Sequence, residues 1–132
     1  MDTAITKGVR ISVETIYRPD LSDISKRILF FNYSIEIENQ NPFQIQLISR
    51  NWHIFDSLDK LRTVSGSGVI GEQPILEPGE VYMYSSGCDL ISELGYMEGH
   101  YDFAQMDGDG TPNSFFKVIV PRFRLEYPAK LN

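Results

Sequence analysis

The stretch LFFNYSIEIEN, residues 29–39, decides the fold. Leu29, Phe31, Tyr33, Ile35 and Ile37 take every second position, and Phe30, Asn32, Ser34, Glu36 and Glu38 fill the others. Side chains of an extended chain point alternately to opposite faces, so this two-residue period gives one dry face and one wet face. Wound into a helix, the same apolar residues would be spread around the axis and bury poorly. The sequence here predicts a half-buried strand.

The same pattern recurs outward from it. In GVRISVETIY, residues 8–17, Val9, Ile11 and Val13 alternate with Arg10, Ser12 and Glu14. FQIQLISRNWHIFD, residues 43–56, begins in one phase with Phe43, Ile45 and Leu47 and ends in the other with Trp52 and Ile54. A bulge or bend between Ile48 and Asn51 accounts for the change of phase. VYMYS, HYDFAQM, SFFKVIV and FRLEY are further β-prone runs, separated by turn chemistry at residues 39–42, at Pro78-Gly79, at residues 107–112 and at Pro121. SDISKRI, with Ser22 or Asp23 as cap, and LISEL are each long enough for one helical turn only. Seven or more short strands with frequent turns imply an all-β protein, an antiparallel β-sandwich or barrel.

A chain of 132 residues with 42% apolar and 12% aromatic residues is expected to fold as one domain, 1–132. Its net charge of −6 disfavours nucleic acid and anionic membrane as partners, since both recruit clustered Lys and Arg. Cys88 is the only cysteine, which excludes an intramolecular disulfide and a cysteine metal knuckle. MDTAITKGVRISV has no basic segment followed by a long apolar one, and no apolar run has the length of a membrane span, so a cytoplasmic location is expected.

GSGVIGEQP, residues 66–74, carries the glycine order G-x-G-x-x-G of dinucleotide sites. That chemistry needs a helix directly after the glycines, whose N-terminus holds the pyrophosphate. Pro74 and Pro78-Gly79 follow instead, and they forbid the helix. A P-loop fails too, because Glu72 stands where the lysine must be. What the glycines can still do is take positive φ and form a small anion-binding nest, with Gly66, Ser67, Gly68 and Gly71 as the candidate ligand-binding residues. A tight connection between strands is the simpler use of the same residues.

The loop and its flanks resemble the ApaG family. The resemblance runs through TKGVRISVETIY, SRNWHIFD, GSGVIGEQPILEPGEVYMYSSG, GYMEGHYDF and FKVIVPRFRLEYP, and so covers nearly the whole chain. It implies an immunoglobulin-like sandwich similar to fibronectin type III. It also implies protein–protein contact, the role of related domains within eukaryotic F-box proteins and a DNA-polymerase-interacting protein. The family is associated with cobalt resistance and magnesium efflux, and is named for a gene neighbour, a diadenosine tetraphosphate hydrolase. Ser67 departs from the acidic residue common at its position, SELGYM departs from a Thr-Pro version, and Cys88 lies where the family varies.

Other constellations are weaker. Cys88 with His53 or His100 would make a thiol and its base, but no third group is suggested to orient them. His100 beside Asp102 reads as solvent face. MDGDGTPN starts like a calcium loop, yet Val118 occupies the position of the bidentate glutamate, and a hairpin turn explains it better. Glu36 and Glu38 share a strand face and are expected to pair with Arg10, Lys117 or Arg122. Phe30 falls on a wet phase, suited to covering an edge or meeting a partner. No catalytic residues, metal ligands or cofactors are expected. The function expected is a non-enzymatic module binding an unidentified protein partner, with homodimerisation through an edge strand also in view. The alternative is a module that binds phosphate, pyrophosphate or nucleotide at residues 66–71.

Overall fold

The computed structural model describes residues 1–128. Among them nine strands follow in the order β1 (Asp2–Thr6), β2 (Val9–Tyr17), β3 (Leu29–Asn39), β4 (Ile45–Asp56), β5 (Arg62–Ser67), β6 (Ile75–Leu76), β7 (Val81–Leu90), β8 (Leu94–Met106) and β9 (Pro112–Glu126). One sheet runs β1-β2-β3-β7 and the other β5-β4-β8-β9, with β6 also on β4. All pairings are antiparallel. This division of strands between two packed sheets is that of immunoglobulin-like and fibronectin type III sandwiches.

Alternation explains the packing. Leu29, Phe31, Tyr33, Ile35 and Ile37 of β3 are all buried. Ile35 lies between Val13 of β2 and Tyr84 of β7, and Ile37 between Ile11 and Tyr82. The wet face holds Arg10, whose guanidinium donates to Glu38 at 2.8 Å and to Glu36 at 2.5 Å. Of the cations expected near these carboxylates, Arg10 is therefore the partner, and Arg122 pairs with Glu98 instead. Phe30 lays its ring over Gly87, where an added Cβ would lie 2.3 Å from it.

The change of phase in β4 is a register shift against β8 between Leu47 and Ser49. Before it Ile45 and Leu47 face the core, and after it Trp52, Ile54 and Asp56 do. Trp52 then lies at the centre of an aromatic cluster, with ring centroids 5.7 Å from Tyr33, 6.0 Å from Tyr101 and 5.9 Å from Phe123.

Three expectations need correction. Pro121 does not divide two strands: it lies inside β9, where the register against β8 shifts between Met97 and Gly99. A bulge accommodates the missing N–H that would otherwise break the ladder. LISEL is not helical, since Leu90 ends β7, residues 91–93 bend, and Leu94 opens β8. Near SDISKRI there is a 3-10 turn at Ile24–Lys26, but Asp23 makes no side-chain cap. The Ser22 hydroxyl instead accepts the Phe30 N–H at 2.9 Å. No helix among the described residues is long and apolar enough to cross a membrane.

Candidate functional site

The glycine loop is held by its own hydrogen bonds. Gly66 and Ser67 close β5, paired with Arg50 and Ser49. The Gly68 N–H donates to the Ile48 carbonyl at 2.8 Å. Val69 and Glu72 exchange N–H···O bonds of 2.8 and 2.9 Å, with Ile70 and Gly71 forming a two-residue turn between them. Both turn residues have positive φ, 42° and 80°, as a primed hairpin turn demands. The Arg50 guanidinium donates to the carbonyls of Ser67 and Gly68, each at 3.0 Å, and a Cβ on Gly66 would lie 3.1 Å from it. Buried Val69 anchors the loop to the core, and Ile70 is exposed at its tip.

Gly66 and Ser67 thus end β5, Gly68 follows directly and Gly71 lies in the turn, and each glycine has a conformational or steric task. Gly68 and Gly71 supply left-handed backbone, and Gly66 makes room for Arg50. The N–H groups of Gly68, Val69 and Glu72 already have carbonyl partners.

Cys88 and the two histidines are not brought together. Cys88 faces the interior from β7, whereas His53 projects from the outer face of β4. His100 stands 3.7 Å from Asp102, whose other oxygen accepts from Ser49 at 2.8 Å and Asn51 at 3.2 Å. Burial pushes the Cys88 thiol up to about 11, against the opposing pull of Arg62. Its alkylation by iodoacetamide at neutral pH is expected to run at least about 100-fold slower than that of an exposed thiol. A rate near that of the unfolded chain would contradict this burial.

Among the described residues no three His, Cys, Asp or Glu side chains are grouped to hold a metal ion. The turn after β8 is closed as a hairpin: Asp107 and Thr111 are bonded through their backbones, and the Asp107 carboxylate accepts from Asn113 at 2.8 Å.

A different surface stands out at the end of the sandwich where β4 leaves and β8 enters. On the outer face of β4 and β8, Phe55 and Tyr96 stack with centroids 4.9 Å apart. Arg122 of β9 lies 4.1 Å above the Tyr96 ring, held by Glu98 at 2.8 Å. This platform continues through Leu94, which also lines a groove of about 430 Å³ with Ile24, Leu58 and Ile91. Leu58 is 60% exposed, Ile24 49% and Leu94 48%.

Asp56 fixes the geometry of that end. Its carboxylate, itself buried, accepts the N–H of Ile91 at 2.7 Å and of Leu58 at 3.2 Å, tying together the two turns that carry those side chains. Burial alone would raise its pKa. The Ser92 hydroxyl, the two N–H groups and the Arg62 charge outweigh that and lower it below the ordinary aspartate range. A carboxylate whose pKa falls on folding contributes stability above its unfolded value and loses it as the pH drops through its folded value. Asp56→Asn is therefore expected to cost about 1–3 kcal/mol at neutral pH, and denaturant melts of the two proteins should converge in acid, below that unfolded value. A gap that stayed constant with pH would contradict the ionised role.

The phase set by Trp52 and Ile54 leaves Phe55 on the wet face of β4, a periodic sign of this surface that sequence reasoning did not single out. Leu58, Ile91 and Ile24 sit in turns, where no period exists to assign them a face.

The fold and this surface define a class: a small immunoglobulin-type sandwich with an exposed apolar and aromatic end. The model of the ApaG domain matches residues 19–105. Protein ApaG of Brucella anthropi is 42% identical over 98% of this chain and 96% of its own length, and Protein ApaG of Beijerinckia indica is 39% identical over 97% and 95%. A crystal structure of the putative ApaA protein from Bordetella pertussis superposes with a TM-score of 0.83 at 36% identity, covering 92% of this chain and 95% of that one. The chain belongs to the ApaG family.

Proposed function

We propose that this chain is a non-enzymatic binding module that docks a protein partner on the end of the sandwich formed by Ile24, Phe55, Leu58, Ile91, Leu94 and Tyr96. The observation that carries this reading is the continuity of exposed apolar side chains with the Phe55–Tyr96 stack beneath Arg122. Tyr and Arg are the residue types enriched where binding energy concentrates, and an apolar patch rimmed by charge is what a folded partner buries. Arg122 and Glu98 supply the charged rim. The resemblance to domains used for protein contact points the same way. A part in cobalt or magnesium homeostasis, the family's association, would then run through the partner.

The test is quantitative co-purification from host extract with wild-type, Leu94→Asp and Tyr96→Ala chains as bait. Each substitution should lower recovery of a specific partner at least about tenfold while leaving the melting profile close to wild type. Recovery unchanged by both substitutions would refute this surface.

A further inference from the structure

Strand β7 lies at an edge of its sheet, pairing with β3 and with no other strand among the described residues. Three bonds reveal which way its backbone groups point. The Glu80 carbonyl accepts the Asn39 N–H at 3.0 Å, and the Ser86 carbonyl accepts the Asn32 side-chain amide at 3.2 Å, both on the β3 side. The Asp89 carbonyl faces the other way and accepts from Arg62 of β5. Since backbone groups alternate in direction along a strand, Val81, Met83, Ser85 and Gly87 direct their N–H and C=O groups outward from the sheet. Outside the strand ladders, no hydrogen bond reaches these groups among the described residues.

Open edges invite strand addition, and folded proteins protect them with short length, charge, proline or bulges. The other edges have such protection. β1 spans five residues, β5 opens with Arg62, and β9 carries Lys117, Pro121, Arg122 and Arg124 with two register shifts. β7 spans ten residues in unbroken register, with neither charge nor proline from Val81 to Cys88. Its outward side chains include Met83, 66% exposed, and Val81, 43% exposed.

We propose that β7 is a self-association edge, along which two copies pair antiparallel about a two-fold axis at Tyr84. Residues opposed in an antiparallel pair lie on the same face, and this register pairs the open positions only with one another. Val81 meets Gly87 of the second copy and Met83 meets Ser85, so large side chains face small ones. The Phe30 ring over Gly87 gives the incoming Val81 an apolar surface. Like charges do not meet: Asp89 falls opposite Gly79, and Glu80 opposite Cys88. The second copy suits this edge better than a charged segment because the strand complements itself in size and offers no charge to pair.

This edge shares no residue with the end of the sandwich assigned to a protein partner, so either can fail alone. The test is sedimentation equilibrium of the full chain from about 1 to about 500 µM. The mass should rise with concentration from 15.1 kDa toward twice that value. Met83→Lys should weaken association at least about tenfold and Ser85→Pro should abolish it, whereas Leu94→Asp should leave it unchanged. Met83 is exposed, so its substitution reports association rather than folding. In a Cys88→Ser background, mixing Met83→Cys with Ser85→Cys chains should give a disulfide-linked heterodimer. A wild-type chain of monomer mass throughout, or association indifferent to both edge substitutions, would overturn the proposal.

Discussion

Trp52→Ala is expected to lower the free energy of unfolding by about 3–5 kcal/mol, the range for removing a large buried aromatic. Trp52 is 3% exposed and touches aromatic rings from both sheets: Tyr33 from β3, Tyr101 from β8 and Phe123 from β9. Truncation there leaves a void between the sheets rather than at their rim, and paired strands on both sides resist collapse into it. Against a typical total of about 5–15 kcal/mol, such a loss threatens the folded state itself. Denaturant titration followed by far-UV circular dichroism reads it directly. A cost below about 1 kcal/mol would mean that Trp52 is not central to the packing.

Gly68→Ala comes second. Gly68 has a φ of +59°, and a Cβ there would stand 2.0 Å from the Glu72 carbonyl oxygen. The clash is with backbone that closes the loop, so relief requires opening the Val69–Glu72 pair. Left-handed strain costs about 1 kcal/mol and each lost hydrogen bond about as much, giving about 3 kcal/mol. Ile70→Asn in the same turn should act oppositely, stabilising by roughly 1 kcal/mol, because asparagine tolerates the positive φ that a β-branched residue resists. Paired melts of the two variants test the loop as a hairpin. Equal effects of the same sign would contradict it.

The strands were legible because burial and alternation coincide in them. Residues 29–39 alternate without fault, and the phase change between Leu47 and Trp52 foretold the bulge at Leu47/Ser49. Pro121 misled because a proline reads as a boundary, yet a bulge at an edge strand tolerates it. In the glycine loop, Pro74 and Pro78 were enough to reject a helix. The guanidinium above Gly66 was not legible, since it depends on the bulge having turned Arg50 toward the loop. The apolar end was hardest to foresee. Phe55, Leu94 and Tyr96 come from strand ends, but Ile24, Leu58 and Ile91 come from turns separated by tens of residues, and Asp56 joins the turns of Leu58 and Ile91 only in three dimensions.

Docking of a protein partner on the end of the sandwich around Leu94 is the proposal on which the functional reading rests. Its most direct test is in-cell photo-crosslinking with a benzophenone amino acid placed at Leu94, compared with one at Glu14 on the outer face of the opposite sheet. A discrete adduct is expected from position 94, lost when Tyr96→Ala is added, with no such adduct from position 14. Equal labelling from both positions, or no adduct from position 94, would contradict it.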